Sequence, residues 1–306
     1  MHVYLLKRLI TLISTLFGVS IFIFLLVHLI PGDPAHYILG EFPTPEAIKQ
    51  LNAKLGLDQP LFVQYLHYIN GLFHGNLGAS LITGQSVWSL IADRFPITLQ
   101  LAVYSTVVAT IIGVLAGVIA SVKPNSWLDR WIVLASLVGL SAPTFWVALL
   151  FIYVFSYKLS LFPISGYNGF QSLVLPSIVL GLAEAATIAR VARTSMLDVL
   201  QQEYMRTAVA KGVHWYARIF QHALKNAMIP VVTLLGLQFG SLLAGAVVAE
   251  VIFSLKGIGN LMIDAISKRD IPIIQGLVFF VALMFAVTNL LVDFIYRVFD
   301  PRINYE

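Results

Sequence analysis

Long apolar runs, separated by shorter polar segments, make up most of the chain. The first run is Leu9–Ile30, and five others follow at about Leu99–Val122, Trp131–Tyr157, Ser172–Ala192, Met228–Ala249 and Ile273–Tyr296. An α-helix of about 20 apolar residues is long enough to cross a bilayer. The pattern therefore predicts an all-α integral membrane protein with six transmembrane helices.

The first run has one feature of a secretory signal peptide, because the basic residues Lys7 and Arg8 precede it. Its apolar part is longer than the roughly 7–15 residues that signal peptides use, and no small-residue cleavage site follows. We therefore expect this run to be retained as the first span.

The composition agrees with a membrane protein, since 58% of the residues are hydrophobic and only 11% are charged. Soluble domains have about 25% charged residues, so water cannot surround this chain on all sides. Cysteine is absent, which excludes disulfides, thiolate metal sites and a cysteine nucleophile.

The Lys and Arg residues of the connecting segments predict the orientation, because cytoplasmic loops carry the excess of basic residues. With the N-terminus inside, the twelve inner basic residues are Lys7, Arg8, Lys123, Arg130, Arg190, Arg193, Arg206, Lys211, Arg218, Lys225, Arg297 and Arg302. The seven outer ones are Lys49, Lys54, Arg94, Lys158, Lys256, Lys268 and Arg269. Both termini are therefore predicted to be cytoplasmic, and nothing in the charge pattern indicates nucleic-acid binding.

Pro31–Pro96 is the longest segment predicted to lie outside the membrane, and this topology places it on the outer side. The sequence PGDP is expected to end the first span. Thr44 as N-cap and Gly56 as stop signal predict a short helix. A second, amphipathic helix is predicted by an apolar face formed by Leu61, Tyr65, Ile69 and Leu72. Together these helices predict a small extracytoplasmic cap.

The main inner loop, Arg190–Ala227, carries six basic residues and only two acidic ones. Met196–Ala210 has the periodicity of an amphipathic helix, Gly212 suits the left-handed conformation that closes a helix, and Val213–Ala227 predicts a second helix. Two helices joined at a glycine would form a protruding knuckle. The alternative is a membrane-surface helix whose basic residues face lipid headgroups.

Small residues recur at helix-packing intervals in the second and fifth runs. One stripe is Ala109, Gly113, Gly117 and Ser121, and another is Gly236, Gly240 and Ala244. Such stripes let helix backbones approach closely inside a bilayer. They predict tight packing, either within the chain or at a subunit interface.

Motifs for nucleotide, metal and hydrolytic chemistry are missing from the sequence. There is no G-x-x-x-x-G-K-[ST] phosphate loop, no H-E-x-x-H and no G-x-S-x-G, and the seven histidines have no metal-ligand spacing. No catalytic residue, metal ligand or cofactor bound by this chain is therefore predicted.

Ionisable residues inside membrane spans are costly and are functional candidates by default. Glu184 of the fourth run is a candidate for binding a proton or a substrate amine, and with Gln238 of the fifth run it is our candidate for a translocation path. A partner or a wet cavity facing Glu184 is the alternative. Asp293 and His28 are expected to lie near the membrane interface.

Several sequence blocks resemble one family, the permease subunits of binding-protein-dependent ABC importers, in the dipeptide, oligopeptide, glutathione and nickel branch. EYMRTAVAKGV followed by HALKNAMIPVVT is similar to the cytoplasmic coupling signature of that family. The other blocks, in order, are LIPGDPA, LGLDQPL, GNLGAS, SKRDIPIIQG and NLLVDFIYRVFDPRI. The resemblance covers nearly the whole chain.

The resemblance implies a type I ABC importer permease fold, with an N-terminal helix and cap at residues 1–98 and a permease core at 99–299. It implies that a coupling loop at about 193–227 contacts an ATPase, through Glu203, Tyr204, Arg206, Thr207, Ala208, Lys211, Gly212, Val213 and His214. In the wider family this signature begins with the residues Glu-Ala-Ala, and the matching positions of this chain are Arg206, Thr207 and Ala208. A contact specific to that glutamate is therefore in doubt.

The function implied by the resemblance is that of a non-catalytic permease subunit in a bacterial cytoplasmic membrane. The implied partners are a second similar permease, two cytoplasmic ATPases that hold ATP and magnesium, an extracytoplasmic binding protein, and membrane lipid. Di- or oligopeptides are the expected substrates, with glutathione and nickel or its chelates as alternatives. An ion-coupled secondary transporter using Glu184 is the alternative of a different class, although no inverted repeat supports it.

Overall fold

A computed structural model of the chain describes residues 2–29 and 44–299. The PGDP sequence and the residues after Phe299 therefore lie outside the described residues. Helices α1–α6 are His2–Leu29, Pro45–Leu55, Leu61–Phe73, Val87–Val122, Trp127–Ser141 and Thr144–Phe151, and a π-helical segment, Ile152–Lys158, continues α6. Helices α7–α13 are Gln171–Leu200, Glu203–Ala210, Trp215–Ala217, Leu224–Gly245, Val247–Ile252, Ile258–Lys268 and Ile271–Phe299, and π-helical Arg218–Ala223 joins α9 to α10.

The helices of the described residues confirm the all-α prediction with six candidate spans. Five are long and apolar enough to cross a membrane by themselves, at Ile10–Leu29, Val87–Val122, Gln171–Leu200, Trp215–Ala244 and Ile271–Val292. The sixth is a bent pair, Trp127–Ser141 and Thr144–Lys158.

The third predicted span, Trp131–Tyr157, is wrong as a single helix, because α5 and α6 meet at an angle of 101°. Pro143 causes the break. It has no N–H for the helical ladder, and it drives the preceding Ala142 into an extended conformation with φ −74° and ψ 124°.

Other helix boundaries also differ from the sequence prediction. Helix α4 begins at Val87 instead of Leu99 and keeps Pro96 inside it. Helix α7 continues to Leu200, so the predicted single helix Met196–Ala210 is wrong. The predicted second loop helix begins at Trp215 and continues through the π-helical segment into the fifth span.

The chain divides into two compact units, and the first comprises residues 1–96 and 256–286. Its core includes Ile23, Ile91 and Leu277 among other buried aliphatic side chains. Asp270, which is 2% exposed, accepts hydrogen bonds from Ser80 Oγ at 2.5 Å and from the Leu81 N–H at 3.2 Å. These bonds hold the segment before α4 against the start of α13.

The cap helices α2 and α3 lie in this first unit. The Thr44 side chain accepts from the Ala47 N–H, and Gly56 closes α2 with φ 69°, as predicted. No residue of α3 is fully buried, and Leu61, at 53% exposed, does not belong to its partly buried face. That face includes Tyr68, whose phenol has a pKa raised above its ordinary value by burial and by neighbouring Tyr65.

The second unit comprises residues 97–255 and 287–306 and contains the predicted inner loop. Glycines in its spans permit very close helix contacts. A Cβ on Gly113 would lie 2.7 Å from the Ile188 side chain, and a Cβ on Gly117 would lie 2.6 Å from the Ala192 Cβ. The first stripe of small residues therefore packs α4 against α7 within the chain.

Candidate functional site

The knuckle, which we define as Glu203–His214, begins where the helix of the fourth span ends. Gln202 adopts an extended conformation with φ −69° and ψ 151°, which separates α7 from the eight-residue helix α8. Glu203 lies in the first turn of α8, where a negative charge is favourable to the helix dipole.

Gly212 closes α8 as the sequence predicts. Its φ is 74°, its N–H donates to the Val209 carbonyl at 2.9 Å, and the Val213 N–H donates to the Ala208 carbonyl at 3.1 Å. This pair of bonds is a Schellman motif, in which the residue of positive φ is ordinarily glycine because it has no Cβ. The knuckle therefore turns sharply at one residue.

Helix α8 is anchored to the rest of its unit by one buried side chain. Met205 is 3% exposed and packs in a cluster with Val118, Met196, Val199, Ile219, Ala223 and Ala227. This cluster joins α8 to α4, to α7 and to the start of the fifth-span helix. A displacement of α8 would therefore be transmitted to three membrane spans.

The predicted coupling residues surround this anchor and most of them are exposed. The exposed members are Glu203, Tyr204, Arg206, Thr207, Lys211, Gly212 and His214, whereas Ala208 and Val213 are partly buried. An exposed polar surface on a well-anchored helix is available for a protein partner.

Two polar contacts organise this surface. Tyr204 Oη accepts a hydrogen bond from Asn226 Nδ2 at 2.8 Å, which ties α8 to α10. Arg206 pairs with Glu203 at 3.0 Å. Because both side chains of that pair are strongly exposed, it contributes less than about 1 kcal/mol, and both remain available to a partner.

A cleft of about 380 Å³ opens between the knuckle and the helix that follows it. It is lined by Val122, Leu200, Met205, Arg206, Val209, Trp215, Arg218 and Ile219. Arg218 Nε is buried and has no hydrogen-bond partner among the described residues. The cleft therefore combines an apolar wall with guanidinium groups, a surface that suits an acidic or amphipathic side chain.

A partly buried ion pair, which no sequence pattern predicted, fixes the C-terminal end of α7. Arg193 donates to both oxygens of Asp129, from Nε at 2.6 Å and from Nη2 at 2.7 Å. Asp129 is 3% exposed and also accepts from the Asn125 N–H at 2.8 Å. This bidentate pair ties the first turn of α5 to the helix that leads into the knuckle.

The two candidate path residues lie together, on α7 and α10. Gln238 Nε2 donates to the backbone carbonyl of Glu184 at 3.4 Å. Glu184 Oε2 and Gln238 Oε1 are both buried without a hydrogen-bond partner among the described residues. The side chain of Asp293, the other predicted intramembrane carboxylate, lies outside the described part of the chain.

Glu250 is a further buried carboxylate that the sequence did not predict, because it follows the predicted fifth span directly. It is fully buried and accepts a hydrogen bond from Thr98 Oγ1 at 2.6 Å. No group of three or more potential His, Cys, Asp or Glu metal ligands occurs among the described residues.

Two family profiles match almost the entire chain. Residues 109–305 match the binding-protein-dependent transport system inner membrane component, and residues 1–102 match the N-terminal part of the same kind of membrane component. The chain is 45% identical over 303 residues to the glutathione transport system permease protein GsiC of Escherichia coli (strain K12), covering 99% of each chain. The same protein of Shigella dysenteriae serotype 1 (strain Sd197) matches equally well.

Among solved structures, the chain is similar to an inward-facing conformation of the MetNI methionine ABC transporter, with a TM-score of 0.58 and 15% identity over 69% of this chain and 97% of that one. At this identity the similarity supports the fold alone. The family profiles and the GsiC relatives show, in addition, the family to which the chain belongs. The chain therefore belongs to the binding-protein-dependent transport system inner membrane components, as a non-catalytic permease subunit of the branch that includes the dipeptide, oligopeptide and glutathione importers.

Proposed function

We propose that the chain forms part of the translocation path of an importer for short peptides, and that glutathione, itself a tripeptide, is the foremost candidate substrate. The 45% identity to glutathione permeases over 99% of the chain supports this order of preference. It also shifts the expectation from di- and oligopeptides towards glutathione. Nickel is the weakest of the three candidates, because imidazole and other ligand clusters that suit it are missing from the described residues.

The observation that carries the proposed mechanism is the anchored and sharply closed knuckle. Met205 fixes α8 to three spans, and Gly212 ends it. We propose that the exposed face of α8 binds a groove of a cytoplasmic ATPase. Closure of the ATPase would then move the attached spans as rigid bodies, which is a general way of switching a packed protein between two states.

The length of α7 favours a protein partner for this face over the membrane surface. Leu200 lies seven residues after Arg193 on the same helix, which is about 10 Å at 1.5 Å per residue. Arg190 and Arg193 of α7 are expected to lie at the level of the inner lipid headgroups, and the knuckle would then extend beyond that level. A second permease, two ATPases with ATP and magnesium, and a binding protein that contacts the outer loops complete the proposed assembly.

The substrate proposal is tested with the complete complex reconstituted in proteoliposomes together with its binding protein. We expect ATP-dependent uptake of labelled glutathione, with competition by short peptides and none by a nickel chelate. A complex whose ATPase lacks the phosphate-loop lysine is the control and should show no uptake. Uptake of the nickel chelate alone would contradict the proposal.

The topology is a separate prediction, and the absence of cysteine makes it simple to test. Lys49 and Lys211 are both exposed, and we propose that they lie on opposite sides of the membrane. In right-side-out vesicles, an impermeant maleimide should label Lys49→Cys and should label Lys211→Cys only after the vesicles are opened. Labelling of both from one side would contradict cytoplasmic termini.

A further inference from the structure

Two buried acceptor oxygens face no donor in the fourth and fifth spans. Glu184 Oε2 and Gln238 Oε1 have no hydrogen-bond partner among the described residues. Their helices are joined at this level, since Gln238 Nε2 donates to the Glu184 carbonyl at 3.4 Å. A buried acceptor without a donor destabilises a protein, so two such atoms on facing helices point to a ligand that donates to both.

The chemistry of the pair defines the ligand that it fits. A carboxylate and an amide oxygen offer only acceptors, and the complement of two acceptors is a group that carries several N–H donors and a positive charge. A primary ammonium has three such donors, and its bond to a carboxylate is among the strong, charge-assisted hydrogen bonds.

A bare metal ion fits the pair less well. Calcium and magnesium take six or more oxygen ligands, whereas this location supplies one carboxylate and one amide. The described residues contain no group of three potential His, Cys, Asp or Glu ligands.

Among the described residues, no Lys or Arg forms an ion pair with Glu184. Of the two arginines in α7, Arg193 is paired with Asp129 and Arg190 is exposed six residues further along. Ser177, seven residues before Glu184 and so two turns along the same face of α7, also has a buried Oγ without a partner. Two buried polar atoms without a partner, Ser177 Oγ and Glu184 Oε2, therefore lie along one face of α7.

We infer that Glu184 and Gln238 form a binding station for the ammonium group of the transported solute. The inference rests on the proposed function, because short peptides and glutathione all carry a free amino group that is charged at neutral pH. A fixed carboxylate inside the membrane replaces part of the hydration that this ammonium loses on entering the path.

The first experiment measures uptake and ATPase stimulation together in the reconstituted complex. Glu184→Gln keeps the side-chain shape and removes the charge, and we expect it to lower uptake about tenfold or more, as the loss of a charge-assisted hydrogen bond predicts. ATP hydrolysis stimulated by loaded binding protein should persist, because the knuckle is intact. Asp93→Asn, which removes an exposed carboxylate from α4 outside the coupling loop, is the control and should change neither quantity. Unchanged uptake by Glu184→Gln would overturn the inference.

The second experiment detects the ammonium directly. Ser241 is exposed on α10, three residues from Gln238, and Ser241→Cys would be the only cysteine of the chain. We expect Ala-Ala to slow its labelling by N-ethylmaleimide, N-acetyl-Ala-Ala to have no effect, and Glu184→Gln to remove the protection. Equal protection by both peptides, or protection by sodium chloride alone, would overturn the inference.

Propylammonium chloride tests this inference independently of the proposed function, because it carries an ammonium group but is not a peptide and does not have to be delivered by a binding protein. We expect it to slow the labelling of Ser241→Cys by N-ethylmaleimide when Glu184 is present and not in Glu184→Gln. Protection in a complex that takes up neither glutathione nor peptides would leave the ammonium station standing and refute the peptide substrate. Absence of protection in a complex that takes up glutathione would refute the station alone.

Discussion

Gly212→Val should abolish the response of the partner ATPases to loaded binding protein while the permease stays folded in the membrane. Gly212 has φ 74° and an added Cβ there would meet no atom within 4 Å, so the substitution acts through the backbone alone. A β-branched residue fits positive φ poorly, and such strain costs about 1–3 kcal/mol. Relaxing it would open the Schellman turn and change the direction in which the chain leaves α8.

The measurement is ATP hydrolysis by the reconstituted complex with and without loaded binding protein. We expect the stimulated rate of Gly212→Val to fall to the basal rate. Gly212→Asn should retain much of the stimulation, because asparagine tolerates the left-handed region far better than valine does. This graded order distinguishes a conformational requirement from a general loss of structure.

Gly166→Val is the matched control for backbone strain. Gly166 also has positive φ, at 83°, and a Cβ on it would also meet nothing within 4 Å. It lies in the segment between α6 and α7. We expect Gly166→Val to keep the yield of folded complex and the basal ATPase activity, because strain at one positive-φ residue does not by itself unfold the permease. Full stimulation in Gly212→Val would instead show that the knuckle does not couple the subunits.

The features that sequence analysis predicted correctly are determined by local chemistry. Thr44 as an N-cap, and Gly56 and Gly212 as left-handed helix ends, each depend on a few neighbouring residues. The spans were found because about 20 consecutive apolar residues are a strong signal. The close packing at Gly113 and Gly117 was predicted from small-residue spacing, although the spacing identified neither α7 as the partner nor whether the packing is within the chain or between subunits.

The features that were missed depend on contacts between distant segments. Asp129 and Arg193 are 64 residues apart, and neither had a sequence signal that identified the other as its partner. The end of α7 at Leu200 was missed because no proline or glycine marks it. It follows from packing, since Met196 and Met205 both belong to one buried cluster and a straight helix could not place both there.

Gly117→Val should strongly reduce the stability of the permease. A Cβ on Gly117 would lie 2.6 Å from the Ala192 Cβ, 2.7 Å from the Ala189 carbonyl oxygen and 2.9 Å from the Arg193 backbone nitrogen. Two of these three atoms belong to the backbone of α7 and cannot rotate away as a flexible side chain can. Overpacking of this kind costs about 1–3 kcal/mol and occasionally more, and valine adds two further methyl groups. We expect a lower yield of folded protein and a lower melting temperature in detergent.

Gly18→Val is the control for placing valine at a glycine in a membrane span, because a Cβ on Gly18 meets no atom within 4 Å. It should leave the yield and the melting temperature close to those of the wild type.

The double variant Gly117→Ala with Ala192→Gly separates the clash with the Ala192 side chain from the clash with the backbone of α7. It removes the contact between the Cβ atoms but keeps the approach to the Ala189 oxygen and to the Arg193 nitrogen. We therefore expect only partial recovery relative to Gly117→Ala alone. Because Arg193 also holds Asp129, the displacement that remains should loosen the C-terminal end of α7 and so reduce ATPase stimulation more than stability. Complete recovery of both would contradict this account and would show that the side chain of Ala192 alone sets the distance between α4 and α7.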